Sequence, residues 1–266
     1  MTWRAVLSRR AHPPTASPRA PQAIPGALGY DRGMRRAQPR IDSLPPDGNA
    51  ASAKMRIAAP LPCDPGTSPF HIKGIALRGL VHMIERRVPG GVDLFADSLD
   101  DPRLAVFLRQ PFLAASRYDL LPILPLNMAL ARALGTSLEE LAHLEGAAQA
   151  RYDGTHTYRV IVSSGTLADL AQRLPRLGAQ YYDFGAYEAH LEAPGRVVVR
   201  RTGMPAYVLR WFTPMHIGYV EEVVRMMGAR TASGSAREPR PIAPVPATPG
   251  SPRFELVDTE TVVDFV

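Results

Sequence analysis

The chain has 266 residues, 31 basic and 25 acidic side chains, a formal net charge of +6 and 45% hydrophobic residues. That balance excludes collagen-like, coiled-coil and wholly disordered chains. The single cysteine, Cys63, allows neither an intramolecular disulfide nor a cysteine-based zinc site, and no apolar run approaches the ~20 residues that span a bilayer.

The basic excess is local. Residues 1–68 carry ten Arg or Lys and four Asp or Glu, residues 69–230 carry eighteen and sixteen, and residues 231–266 carry three and five. A phosphate track needs basic groups held in a row on a folded surface. The nearly neutral middle region offers none, so specific nucleic-acid binding is not expected. Residues 1–68 also contain eleven prolines and no lasting hydrophobic period, which predicts a disordered Pro/Arg-rich tail that buries too little apolar surface to offset its ordering entropy. Its first thirty residues lack acids and are rich in Arg, as transit peptides are. Met34 and Met55 offer later translation starts. Residues 231–253, with six prolines among Ala, Ser, Thr and Gly, read as a linker. Between the two lies a 69–230 core long enough for a single domain, and residues 254–266 form a C-terminal segment.

Helical spacing begins with Ile72, Ile75, Ala76, Gly79, Leu80, Met83, Ile84 and Val88, and Pro89-Gly90-Gly91 ends it. Short helices are predicted over residues 94–99 and after Pro102. Pro122 and Pro125 open an apolar helix that stops at Gly135. Thr136-Ser137-Leu138-Glu139 reads as a capping box for the next helix, and a short helix is predicted over residues 158–163. Leu167, Leu170, Leu174, Leu177 and Tyr181 then form the clearest helical stripe, capped by Thr166 with Asp169 three residues on and interrupted by Pro175. The period changes at residue 187. Residues 187–192 and 196–202 flank Ala193-Pro194-Gly195 as a β-hairpin, and the run Val197, Val198, Val199 marks its second strand as central. A long helix follows from Val208 to Met227 with Pro214 inside it. Residues 254–266 alternate enough to return as an edge strand. The order predicts an α+β fold: a helical N-terminal subdomain, then a small antiparallel sheet packed with a long C-terminal helix.

Several short motifs stand in order along the chain: Lys73-Gly74, Ser116-Arg117-Tyr118, Leu134-Gly135-Thr136-Ser137-Leu138-Glu139-Glu140-Leu141, Pro175-Arg176-Leu177, Tyr181-Tyr182-Asp183-Phe184-Gly185, Pro194-Gly195-Arg196 and Thr202-Gly203-Met204-Pro205. Their order and spacing, over about residues 72–230, resemble an uncharacterised protein family known mainly from myxobacteria. That family is in turn similar to 4-vinyl reductase domains, haem–nitric-oxide-binding domains and a subunit fold of vesicle-tethering complexes. The resemblance implies a helical subdomain leading into an antiparallel sheet. The haem-binding members need a proximal His on the helix before the hairpin and a Tyr-x-Ser-x-Arg stretch in the sheet. Here the corresponding positions read Leu177-Gly178-Ala179 and Val197-Val198-Val199-Arg200-Arg201, so no haem is expected.

No His-Glu-x-x-His motif, phosphate-binding loop, dinucleotide fingerprint or nucleophile elbow is present. No catalytic residue, metal site or cofactor is expected. His82, His143 and His216 read as polar-face or half-buried helix residues. The candidate ligand-binding constellation is Tyr182 and Asp183 after the kinked helix, with Arg117 and Tyr118 from the preceding loop. Arg200 and Arg201 on the hairpin are the expected partners of Asp183. The functional expectation is a cytoplasmic, non-catalytic binding or regulatory module with a small apolar ligand at the helix–sheet junction. The alternatives are a homodimerising interaction scaffold and, as the resemblance implies, a vinyl-reductase-like enzyme acting on a tetrapyrrole.

Overall fold

The computed structural model describes residues 59–156, 158–159, 166–242 and 253–266. The expected disorder of residues 1–58, most of the short helix expected over 158–163, and the linker stretch 243–252 lie outside the described residues. Among those described the fold is α+β, with seven α-helices and antiparallel strands. Strand β1 (His71–Lys73) pairs with β2 (Arg117–Asp119) as a two-stranded ribbon. Between them run α1 (Gly74–Arg87), α2 (Gly91–Ser98) and α3 (Pro102–Arg109). Helices α4 (Ile123–Leu134) and α5 (Leu138–Thr155) follow, then α6 (Leu170–Tyr181). The hairpin is β3 (Tyr187–Ala193) and β4 (Arg196–Pro205), with Gly195 in the turn at φ +79°. Helix α7 (Leu209–Met226) leads into β5 (Ala232–Ala236), β6 (Arg240–Pro241) and β7 (Leu256–Phe265).

The stripe on α6 behaves as its spacing predicts: Leu170, Leu174, Leu177 and Tyr181 are all buried. Thr166 and Asp169 form the reciprocal capping box before it, the Thr166 N–H and Oγ1 both bonding Asp169 Oδ2. The cap of α5 falls one residue later than predicted, on Ser137, whose Oγ accepts from the Glu140 N–H at 3.0 Å. Ile72, expected at the start of the first helical stripe, is instead extended, because residues 71–73 pair with β2. The helix begins at Gly74, whose N–H donates to the Ser116 carbonyl at 2.8 Å.

Three expectations about the ends of the chain are corrected. Residues 59–68 do not belong to a disordered tail. Leu61 and Ser68 are buried, and the buried Asp119 carboxylate gathers this segment. It accepts from the N–H groups of Gly66 and Ser68 and, at 2.7 Å, from the Ser68 hydroxyl. One carboxylate accepting several donors ties down a stretch whose composition suggests none of this order. Residues 232–236 and 240–241 are not linker but strands β5 and β6, each paired with β7. Their Ala-Ser-Gly-Ser-Ala sequence looks unstructured, yet small residues are required there. A Cβ on Gly234 would meet the Ile217 side chain of α7 at 2.5 Å, and the Gly234 N–H donates to Glu221 at 2.7 Å. Finally, β7 is not an edge strand. It lies between β4 and β5 in the sheet order β3-β4-β7-β5, matching Val262 to Val198 on one side and to Ser235 on the other.

The core sits between this sheet and the helices. Val197, Val198 and Val199 are all buried, as a strand flanked on both sides requires. Helix α7 packs on α5 and, on another face, against β5 and β7. The two helices meet backbone to backbone at glycines. A Cβ on Gly146 would lie 1.8 Å from the Met215 carbonyl oxygen, and one on Gly218 would lie 2.1 Å from that of His143. This crossing places the cavity-facing side chains of α5 opposite those of α7.

Candidate functional site

A cavity opens where α1, α4, α5, α6 and α7 meet β1 and β3. Its volume is about 70 Å³, more than the ~10–15 Å³ that a single water needs. Its apolar lining includes Ile72 and Leu80, with Met215 from α7, and its aromatic lining includes Tyr181, Tyr182, Tyr187, Trp211 and Tyr219.

Two polar side chains enter this lining with oxygens that have no partner. Asn127 is fully buried on α4; its Nδ2 donates to the Ile123 carbonyl at 3.0 Å, and its Oδ1 is unpaired. Glu145 on α5 accepts from Trp211 Nε1 at 3.1 Å through Oε2, while Oε1 is sealed from water and unpaired. Burial raises the Glu145 carboxyl to about 8, against the lowering effect of the Trp211 hydrogen bond. A carboxyl so raised keeps its proton near neutral pH.

Behind this end lies a closed network. The Tyr181 and Tyr219 hydroxyls both donate to the buried Asp153 carboxylate, at 2.7 and 2.8 Å, and Gln149 Nε2 donates to it at 3.0 Å. Burial raises Asp153 to about 6, opposed by those hydrogen bonds and by the charge of Lys73. At the sheet end the Tyr187 hydroxyl bonds His216 Nε2, and His216 Nδ1 bonds Thr261 Oγ1 at 2.8 Å. Burial, assisted by the charge of Arg201, lowers His216 to about 3, so the ring is neutral.

Of the six residues singled out from the sequence, Tyr182 lines the cavity and Arg201 stacks on it, 4.7 Å from the ring centroid. Arg201 is buried, donates to the Phe184 carbonyl and also lies over the rings of Phe184 and Tyr187. The other four are held elsewhere. Asp183 does not pair with either hairpin arginine; it bonds His71, the Nδ1···Oδ2 distance being 2.9 Å and the His71 N–H···Oδ1 distance 3.1 Å. Arg200, on the opposite face of β4 from Arg201, bonds Asp258 of β7. Arg117 donates to the Tyr181 carbonyl at 2.6 Å. Tyr118 anchors its own loop through the Leu113 N–H and the Pro111 carbonyl. Sequence reasoning missed Asn127, Glu145, Gln149, Tyr187, Trp211 and Tyr219, and it placed His216 on a polar or half-buried helix face where the structure buries it. One signal was present: Asn127 is the single polar residue between Ile123 and Leu130, and a polar group inside an apolar run must be buried with a purpose.

The residues here do not fit a haem. Both nitrogens of His216 are engaged. At Gly178, near the expected position of a proximal ligand, the Tyr187 ring occupies the space, 2.4 Å from where a Cβ would stand.

No family model and no curated protein matches the chain. Among solved structures it is similar to an H-NOX protein from work on haem distortion in that family, with a TM-score of 0.49 and 10% identity over 73% of this chain and 94% of that one. It is similar to T. tengcongensis H-NOX, at 0.48 and 11% over 72% and 94%. It is also similar to a variant of the Fe(II) unliganded H-NOX protein from K. algicida, at 0.49 and 10% over 73% and 96%. At these identities the likeness assigns the chain neither a family nor a ligand.

Proposed function

We propose that this chain is a cytoplasmic, non-catalytic binding module that holds one small, mostly apolar ligand at the junction of its helices and sheet. The observation that carries this reading is the cavity itself, apolar and aromatic in most of its lining, with Asn127, Glu145, Gln149 and His216 as its few polar residues. Apolar walls with a few placed polar groups are the usual composition of a small-molecule site. No helix among the described residues is long and apolar enough to cross a membrane.

A thermal-shift panel of short alcohols, amines and phenols tests this. A ligand at 100 times its Kd stabilises by about 2.7 kcal/mol, a rise of roughly 5–11 °C for a protein of this size. The rise is expected in the natural protein and not in Ala76→Phe, which fills the cavity wall. Equal shifts in both proteins would place binding elsewhere; no shift with any compound would remove the reading. A second reading, a homodimerising scaffold, is favoured by the exposed Leu94, Val106 and Leu113 on and beside α2 and α3. Sedimentation equilibrium of the full chain, with a Val106→Asp control, separates it from the first.

A further inference from the structure

We propose that β3 is a self-association edge: two copies of this chain pair their β3 strands antiparallel about Ala189, joining two sheets into one. This inference is independent of the cavity and of the ligand-binding reading, and it places a dimer contact on a surface other than α2 and α3.

The sheet order β3-β4-β7-β5 leaves β3 and β5 at its two edges, and the two edges differ. On β5 the mutual hydrogen bonds of Thr231 and Val266 fix the alternation, so Ala232, Gly234 and Ala236 turn their backbone groups away from β7. Helix α7 closes that edge. Glu221 accepts from the Gly234 N–H at 2.7 Å, and the Arg225 guanidinium donates to the Ala232 carbonyl at 2.8 Å. On β3 the Thr202 N–H donates to the Ala186 carbonyl at 3.0 Å, and the same alternation turns the N–H and C=O of Tyr187, Ala189 and Leu191 outward. Among the described residues no group bonds them. Strand β3 also carries neither the lysine nor the proline that commonly blunts a free edge, and its register shift falls only past Leu191.

The side chains of β3 select a second copy as the occupant. Outward-facing residues must meet outward-facing residues, so a two-fold axis can pass only through residue 188, 189 or 190. Centred on 188, the pairing sets Glu188 against Glu188 of the partner subunit. Centred on 190, it sets Glu188 against Glu192 of the partner subunit. Like charges directly opposite are destabilising. Centred on Ala189, it sets each Glu188 carboxylate opposite His190 of the partner subunit, whose imidazole N–H can donate to it. Both residues are exposed and face away from the helices, on the side of β4 that carries Arg200. This register is also the one that pairs all three outward residues, Ala189 with Ala189 of the partner subunit and Tyr187 with Leu191 of the partner subunit. Leu191, 41% exposed in the single chain, is covered by it. The ion pairs nearby stay as they are, Glu192 with Arg237 and Arg200 with Asp258.

A strand pair of this length is a small contact, so the association is weak and depends on concentration. Sedimentation velocity of the full chain from about 1 μM to about 1 mM tests it. A monomer–dimer equilibrium is expected. Ala189→Pro removes an N–H that serves no bond within the sheet. It should weaken the dimer at least about tenfold while the monomer melts as before by circular dichroism. Position 190 tests the register: His190→Glu should weaken the dimer about fivefold or more, and His190→Lys should tighten it. Net charge alone, +6 in the natural chain, dictates the reverse order. If Ala189→Pro fails to fold, the two substitutions at position 190 decide alone. A monomer at every concentration overturns the proposal. So does a dimer that a folded Ala189→Pro leaves intact, or one that His190→Glu tightens. A dimer abolished by Val106→Asp instead returns the contact to α2 and α3 and also overturns it.

Discussion

Gly146→Ala perturbs the crossing on which the cavity depends. Helix propensity alone favours the change: alanine in a helix interior is worth about 0.5–1 kcal/mol over glycine. Packing opposes it. The added Cβ would stand 1.8 Å from the Met215 carbonyl oxygen and 2.9 Å from the Tyr219 nitrogen, both backbone atoms that no rotamer change can move. Ordinary contact is about 3.5 Å, so α5 and α7 must part by ~1.7 Å. Overpacking of this kind costs about 1–3 kcal/mol, and a backbone clash belongs at the upper end. The net expectation is a loss of about 2 kcal/mol, or roughly 4–8 °C in Tm, read by calorimetry and by urea unfolding. Parting the helices also separates Glu145 from Trp211, so ligand binding should weaken together with stability. A Tm that rises, as propensity alone dictates, would mean that α5 and α7 do not cross at this glycine, and the description of the cavity would fall with it.

Further outcomes follow from the same packing. Tyr187→Phe keeps the ring against Gly178 but strips His216 Nε2 of its partner; urea unfolding should show a loss of about 1–3 kcal/mol, and an unchanged midpoint would count against that bond. Deleting residues 251–266 removes the strand between β4 and β5 and should leave no cooperative melt by circular dichroism; a truncated chain melting like the full one would return β7 to the status of a free tail. Stability should fall as pH rises from 6.5 to 8.5. Over that range native Glu145, raised to about 8, still holds a proton that the unfolded chain, with an ordinary value of 4.5, has released. His216 acts in the other direction, neutral in the folded state down to about 3 while the unfolded ring takes a proton below about 6.5, so its contribution is lost in acid. Glu145→Gln should flatten the alkaline slope of Tm against pH, and a slope that survives the substitution would assign it to another group.

What the sequence made legible was what local rules control. The 3.6-residue stripe on α6, its Thr166–Asp169 box, the Pro-Gly turn and the valine run of β4 each need only near neighbours to be recognised. Strand β5 was illegible because its small residues serve α7, through Gly234 under Ile217 and its bond to Glu221. The order of residues 59–68 was illegible because it comes from a carboxylate more than fifty residues away. At the site, Tyr182 was found as an aromatic at the helix–sheet junction, but the Asp183 partner was misassigned. Strand alternation does separate Arg200 from Arg201; β7, expected only at the sheet edge, takes Arg200 through Asp258, and β1 takes Asp183 through His71. Glu145 carries no local signal; its burial follows from the close contact of α5 with α7, which meet backbone to backbone at Gly146 and Gly218.

The most direct measurement is a carbon-13 NMR titration of the Glu145 side-chain carboxyl. Titration near 8 is the predicted result. A midpoint near 4.5 would place this carboxyl in water and contradict the site.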